Sequence, residues 1–432
     1  MTIHKILTIC IFLVCMTACR ATETPVPQTF TAPPASTATA LPASSPTPQS
    51  SSAANPAPPP ALPPVPQWWE LEPLSATLRS DPEPPEMDVV FFRADGLWHY
   101  DSALAQERQI VALPPTMAQR VPRSIAWAPN GARVAYLTYR EENGGTQWAD
   151  VTVVELATGA TAQLMAVPIF IPGGLTWSLP GTELYAIGIF ESEEETEWGL
   201  YVLSVATETV PEVLLTERRS GAGLSGPLQV TPEGYVRYLH FEPREIAIHQ
   251  INPLEGTVET IAPIPGTSSF PFAVPHQTLL DDTEVLYLLS TMRTGWEAQV
   301  GLYHVTNEES RKLLFLEEGY GLEVGLGPKQ WVALGAGPAE SSPLIICDIP
   351  AERCQQLPEP LRAALLRLIN PEGLPFSTIK FVPVSWRAEQ LFFMAIVLGP
   401  DVSDLGGLFR YDTSTGEIVP LLMGLEEVVL AL

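Results

Sequence analysis

A five-residue pattern recurs along this chain at a nearly constant step, and few folds are compatible with that. It reads Gly-Leu-aromatic-X-[Tyr/Leu/Val] and stands at Gly96-Leu97-Trp98-His99-Tyr100, Gly199-Leu200-Tyr201-Val202-Leu203, Gly301-Leu302-Tyr303-His304-Val305 and Gly407-Leu408-Phe409-Arg410-Tyr411. The glycines are 103, 102 and 106 residues apart, each about twice 51. Weaker copies fall midway, at Asp150-Val151-Thr152-Val153-Val154, Glu245-Ile246-Ala247-Ile248-His249 and Pro343-Leu344-Ile345-Ile346-Cys347. The chain therefore carries seven units.

A strand-like period near 50 residues belongs to a β-propeller, in which each unit is one four-stranded blade. The second unit shows the order. Ser124–Trp127 is an inner strand, Ala128-Pro129-Asn130-Gly131 a turn, Arg133–Leu137 the second strand, Val151–Leu156 the third and Thr161–Leu164 the outer strand. A β-sandwich or two smaller β domains would have no reason to repeat at a fixed step. The expected fold is all-β: a single β-propeller over residues 87–432 with seven four-stranded blades, six or eight being the neighbouring alternatives. Unit one lacks an inner strand, and Glu427–Leu432 is a spare apolar strand able to close the ring. Pro360–Ile369 has apolar residues at helical spacing and reads as a short helix between units six and seven.

The Ala128-Pro129-Asn130-Gly131 turn and the Thr415-Gly416-Glu417 hairpin resemble the TolB-type propeller repeat, whose turns read Ser-Pro-Asp-Gly and Thr-Gly-Glu. Trp177–Gly181 and Thr231–Gly234 are degenerate versions. The resemblance covers roughly residues 87–432 and implies a docking platform for other envelope proteins. It says almost nothing of activity.

The N-terminus carries an address. Lys5 precedes the short apolar run Ile6–Val14, which suits a signal peptide and is too short to span a bilayer. Met16-Thr17-Ala18-Cys19 then resembles the bacterial lipobox, with Met where Leu is commoner. The resemblance implies a signal peptide over 1–18, a Cys19 carrying diacylglycerol, and an extracytoplasmic protein lipid-anchored to the outer face of the cytoplasmic membrane or to the outer membrane. The alternative is an ordinary secretory signal cut near Ala18. Residues 20–66 are almost wholly Pro, Ala, Ser and Thr, with Arg20 and Glu23 the only charges. Such a stretch cannot bury enough apolar surface to offset its ordering entropy, so 19–66 is expected to be a disordered stalk, on the order of 100 Å long when extended. Residues 67–86 are a lead-in to the first strand.

A formal net charge of −26 excludes nucleic acid and anionic lipid surfaces as partners, leaving the lipid anchor as the only membrane contact. Of five cysteines, Cys10 and Cys15 leave with the signal. Cys347 and Cys354 bracket a turn-like stretch, and two Cys facing each other across a hairpin meet disulfide geometry. The alternative is two buried free thiols.

Catalytic arrangements are missing. The six histidines form no His-Glu-x-x-His, and there is no Gly-x-Ser-x-Gly elbow, P-loop or dinucleotide fingerprint. No catalytic residue, metal ligand or cofactor is expected. His99 and His304 share one slot in the third strand and read as packing groups. The acidic run Glu191–Glu197, which includes Glu193, Glu194, Glu195 and Glu197, reads as a solvated loop between second and third strands. Its sharper reading is a dock for a basic partner or a cation. Trp148, Trp198 and Trp296 each precede a third strand, and with Glu141, Glu142, Asp150 and the acidic run they make a candidate recognition rim. The bland reading is that each indole anchors its own blade. These features favour a monomeric, membrane-tethered binding or scaffold protein that docks an envelope protein or glycan, and is not an enzyme. The alternative is a carbohydrate-active or peptide-processing hydrolase using channel carboxylates. The inner strands recognisable in the sequence, Ile125–Trp127 and Leu175–Trp177, carry none.

Overall fold

In the computed structural model, Trp68–Leu432 forms one compact unit. The structure describes residues 71–430 apart from 94, 113–124, 142–146, 165–166, 169–174, 192–195, 206–211, 218–222, 243–244, 264–275, 280–283, 292–296, 305–308, 317–321, 327–330, 337–343, 375, 377, 399–404 and 426. The signal peptide, Cys19 and the stalk lie outside the described residues.

The described strands group into seven hydrogen-bonded sheets. Six take their four central strands consecutively from the chain. In chain order these are the second sheet (from Ile125–Trp127 to Thr161–Gln163), the third (Leu175–Trp177 to Glu212–Glu217) and the fourth (Gly223–Val230 to Val258–Pro263). The fifth (His276–Leu279 to Glu309–Leu316), the sixth (Leu322–Leu326 to Arg353–Gln356) and the seventh (Thr378–Arg387 to Glu417–Met423) follow. The first sheet is composite: Glu427–Leu430, from the far end of the chain, pairs antiparallel with Val89–Arg93, followed by Gly96–Asp101 and Gln106–Ala112. The leading strands of successive sheets touch one another in cyclic order, from Glu427–Leu430 through Ile125–Trp127 and onward to Thr378–Arg387 and back. The fold is a single closed β-propeller.

Burial of both sheet faces is what makes a ring stable. Along Val89–Phe92 every residue is buried, and alternate side chains go to opposite neighbours. Val89 and Phe91 join a core with Leu408 and Leu422 of the seventh sheet, whereas Val90 and Phe92 join one with Val134 and Tyr136 of the second. Equivalent clusters fill the seams between second and third, third and fourth, and sixth and seventh sheets.

The recurrent pattern has a packing cause. A Cβ placed on Gly199 would sit 2.6 Å from the ring of Tyr201, and one on Gly407 would sit 2.9 Å from the ring of Phe409. The aromatic two residues on lies back over the glycine on the same face. The pairing register also shifts between the Leu and the aromatic, at Leu97/Trp98, Leu200/Tyr201 and Leu408/Phe409. The motif thus stands opposite a β-bulge whose extra residue, Ile110, Leu214 or Leu421, belongs to the fourth strand.

The helix spans Glu359–Ile369 between sixth and seventh sheets, with Pro360 in its first turn and Leu365 and Ile369 buried. Two expectations are corrected. Residues 67–86 are not a mere lead-in: Leu71–Pro73 pairs parallel with Arg353–Gln356 and Thr77–Leu78 pairs parallel with Glu417–Met423, as fifth strands of two sheets. At three and two residues they carry no alternation to detect, and the Pro73 that ends the first is tolerated on an edge strand that bonds on one side only. Trp148 and Trp198 do not precede third strands but lie within them, because those strands begin at Gln147 and Thr196.

Candidate functional site: the seam between the third and fourth sheets

Strand alternation separates the rim residues proposed above. On Thr196–Ser204, Trp198 and Val202 pack toward the fourth sheet, whereas Tyr201 packs toward the second. Glu197 shares the parity of Tyr201 and so takes the opposite face from Trp198; its charge helps raise the Tyr201 pKa, after burial. Trp198 is half-buried against the core that contains Leu200, Leu224 and Tyr238. The acidic run is partly strand: Glu191 ends the second strand, and Thr196 and Glu197 pair with Glu191 and Phe190. Trp148 stands opposite Arg140 and Pro168 in the second sheet. Glu193, Glu194, Glu195 and Trp296 lie outside the described residues.

Around Trp198 the structure assembles groups that the sequence reading missed. Glu217, on the outermost strand of the third sheet, is its cross-strand partner. The Glu217 Oε2 lies 3.4 Å from His240 Nε2 of the fourth sheet. The His240 and His249 rings stack with centroids 4.7 Å apart, and His249 Nε2 lies 3.2 Å from the Thr260 hydroxyl. Tyr238 meets His249 edge-on at 5.8 Å. The Tyr238 hydroxyl is buried with no hydrogen-bond partner among the described residues, and burial, reinforced by the negative charge of Glu217, drives its pKa upward. A carboxylate, two imidazoles and a phenol thus converge from two sheets. Glu217 and His240, each partly exposed at its side chain, can hydrogen-bond a polar ligand. Among the described residues no group of three or more His, Cys, Asp or Glu is arranged to hold a metal ion.

Hairpin parity was the signal available for this cluster. In the hairpin of Val236–Glu242 and Glu245–Ile251, Tyr238 faces His249 and His240 faces Ala247. His240 and His249 are therefore diagonal neighbours on one face, within reach of large side chains.

Elsewhere, Cys347 and Cys354 are disulfide-bonded and both fully buried, directly opposed in the outer hairpin of the sixth sheet. His99 is buried and meets Trp127 edge-on at 6.2 Å across the seam of first and second sheets. Two innermost strands carry carboxylates after all, Glu323 in Leu322–Leu326 and Glu427 in Glu427–Leu430. No helix among the described residues is long and apolar enough to cross a membrane.

No protein-family model matches the chain, and no curated protein matches it. Solved structures do resemble it. A prolyl endopeptidase structure is 11% identical with a TM-score of 0.51, over 80% of this chain and 50% of that one. TolB from Acinetobacter baumannii is 14% identical over 63% of each chain, with a TM-score of 0.41. The periplasmic gluconolactonase of Pseudomonas aeruginosa is 12% identical over 80% of this chain and 99% of its own, with a TM-score of 0.46. The chain spans half the length of the prolyl endopeptidase and under two thirds of the TolB structure. At these identities the likeness is one of propeller fold.

Proposed function

We propose that the protein is an extracytoplasmic binding or scaffold module. It is tethered to a membrane through Cys19 and the 20–66 stalk and docks a protein or glycan partner on one end of its ring. The observation that carries this reading is where the chain enters. Leu71 lies beside Cys354, just past the outer hairpin of the sixth sheet, and Thr77 lies beside Glu417. In an antiparallel four-stranded sheet the first–second and third–fourth turns share one end and the second–third loop takes the other. The chain joins the ring at the hairpin end, while Trp198, Glu217 and His240 lie toward the loop end, with His249 stacked beneath His240 further along the blade. A half-buried aromatic beside hydrogen-bonding groups suits recognition of a sugar or a polar peptide. Crosslinking in an intact envelope fraction, followed by affinity capture, tests this. Glu217→Gln with His240→Ala should abolish recovery of the partner captured by the unaltered protein, and Cys19→Ser should shift the protein out of the detergent phase. Undiminished recovery removes the seam from the reading; undiminished detergent partitioning removes the anchor.

The placement of Glu323 and Glu427 on innermost strands of the sixth and first sheets, either side of the seventh, favours a hydrolase as the second reading. Turnover of aryl glycosides or peptide anilides that disappears in both Glu323→Gln and Glu427→Gln would support it. Absence of turnover by the unaltered protein would retire it.

A further inference from the structure

We propose that the outer edges of the sixth and seventh sheets form a peptide-binding groove, which residues 71–79 of the chain occupy in cis. The segment adds to both sheets as a short parallel strand, Leu71–Pro73 on one and Thr77–Leu78 on the other. Main-chain bonds hold it at both steps: Leu74 N–H donates to Gln356 O at 2.7 Å, Thr77 N–H to Gly416 O at 2.8 Å and Arg79 N–H to Ile418 O at 2.9 Å. Leu74 is buried in a cluster with Leu357, Leu365, Ile369 and Ile418, Ala76 and Leu78 pack half-buried against the same cluster, and the remaining side chains are exposed. Between the two steps the chain crosses the Thr415–Glu417 turn, where a Cβ on Gly416 would come within 3.0 Å of Ser75 O.

This is the division of labour of strand addition, in which backbone bonds give affinity and one or two side-chain pockets give selectivity. The groove takes an extended peptide that presents one large aliphatic residue to the Leu74 pocket and apolar residues at the alternate Ala76 and Leu78 positions, the intervening positions being exposed. The segment fully buries one side chain, packs Ala76 and Leu78 half-buried on the same face, and then returns to solvent at Ser80, Asp81 and Pro82, which is a one-sided contact rather than a place inside the core. The inference is independent of the docking end proposed above, because the groove lies on the outer edge of the ring.

A protease recognition sequence placed between Ser80 and Asp81 of the full chain makes the test. After cleavage, the fragment 1–80 should co-elute with the propeller, and excess synthetic peptide 68–79 should displace it. The same peptide with Leu74→Asp should fail to displace, and a Leu74→Asp chain should lose its fragment on the order of a hundredfold faster, because an unpaired carboxylate would enter an apolar pocket. Thermal melting of the cleaved propeller is read alongside. Release of the unaltered fragment as fast as the Leu74→Asp fragment overturns the proposal. Unfolding of the ring on cleavage also overturns it, by making the segment part of the core rather than a ligand.

Discussion

Glu83 and Arg410 are 327 residues apart in sequence and stand 2.9 Å apart from Oε2 to Nη2. Arg410 belongs to the third strand of the seventh sheet and is 14% exposed at its side chain; Glu83 belongs to the segment that leads from the outer edge to the first sheet. Glu83 also accepts from Arg79, and its own N–H donates to Pro420 O at 2.9 Å. The pair thus pins the entering chain beside the seam where the ring closes.

A double-mutant cycle measures that pin. Glu83→Gln and Arg410→Met should each lower the urea midpoint. Their coupling energy should be about 1 kcal/mol, the upper range for a partly exposed pair, and should shrink in high salt. Strict additivity of the two changes would show that the ion pair contributes nothing.

Opening the Cys347–Cys354 bond, as Cys347→Ala with Cys354→Ala, should cost about 2 kcal/mol, the chain-entropy value for so short a loop. Both side chains are fully buried, so thiol reagent should find neither in the native protein. Denatured, unreduced mature domain should show no thiol from these two positions. Two reactive thiols there would refute the bond.

The strand-to-strand architecture was legible because the Gly-Leu-aromatic motif is a packing device: Tyr201 and Phe409 need the glycine beneath them. The closing strand was legible because Glu427–Leu430 was an apolar run with no other partner. The entering strands were not, because Leu71–Pro73 and Thr77–Leu78 are two or three residues long and carry no alternation to detect. The seam site was invisible for a different reason. Glu217 and His240 lie on different sheets, so no spacing within one unit predicts that they meet. Grouping Trp198 with Glu197 failed on parity, since adjacent strand residues face opposite seams.

Trp198 decides between anchor and recognition group. Its packing against Leu200, Leu224 and Tyr238 predicts that Trp198→Ala costs roughly 2–3 kcal/mol of stability, by loss of buried surface and a residual cavity. Denaturant unfolding checks this. A change below about 0.5 kcal/mol, typical of exposed sites, would show that the indole does not anchor the blade and leave recognition as its role.

Acid should weaken the ring through His99. Burial lowers its pKa below the ordinary value of about 6.5; Asp88, with Oδ2 3.4 Å from Nε2, opposes this, and Arg108 adds to it. The unfolded chain, whose histidine keeps its ordinary pKa, then binds more protons than the folded one in the window below about 6.5. The contribution is fully present above that value and is lost as pH falls through the window, with a slope of at most about 1.4 kcal/mol per pH unit. Asp88 behaves differently. Burial by itself would raise its pKa, but hydrogen bonds from the Ser102 N–H and hydroxyl outweigh that and hold it below 3.8, so its contribution is lost only in stronger acid. Urea midpoints at several pH values between 7.5 and 5 should therefore fall with acidification in the unaltered protein and fall less steeply in His99→Leu. Comparing slopes rather than absolute midpoints separates protonation from any packing change at the Trp127 contact. Equal slopes would assign the acid sensitivity to groups other than His99.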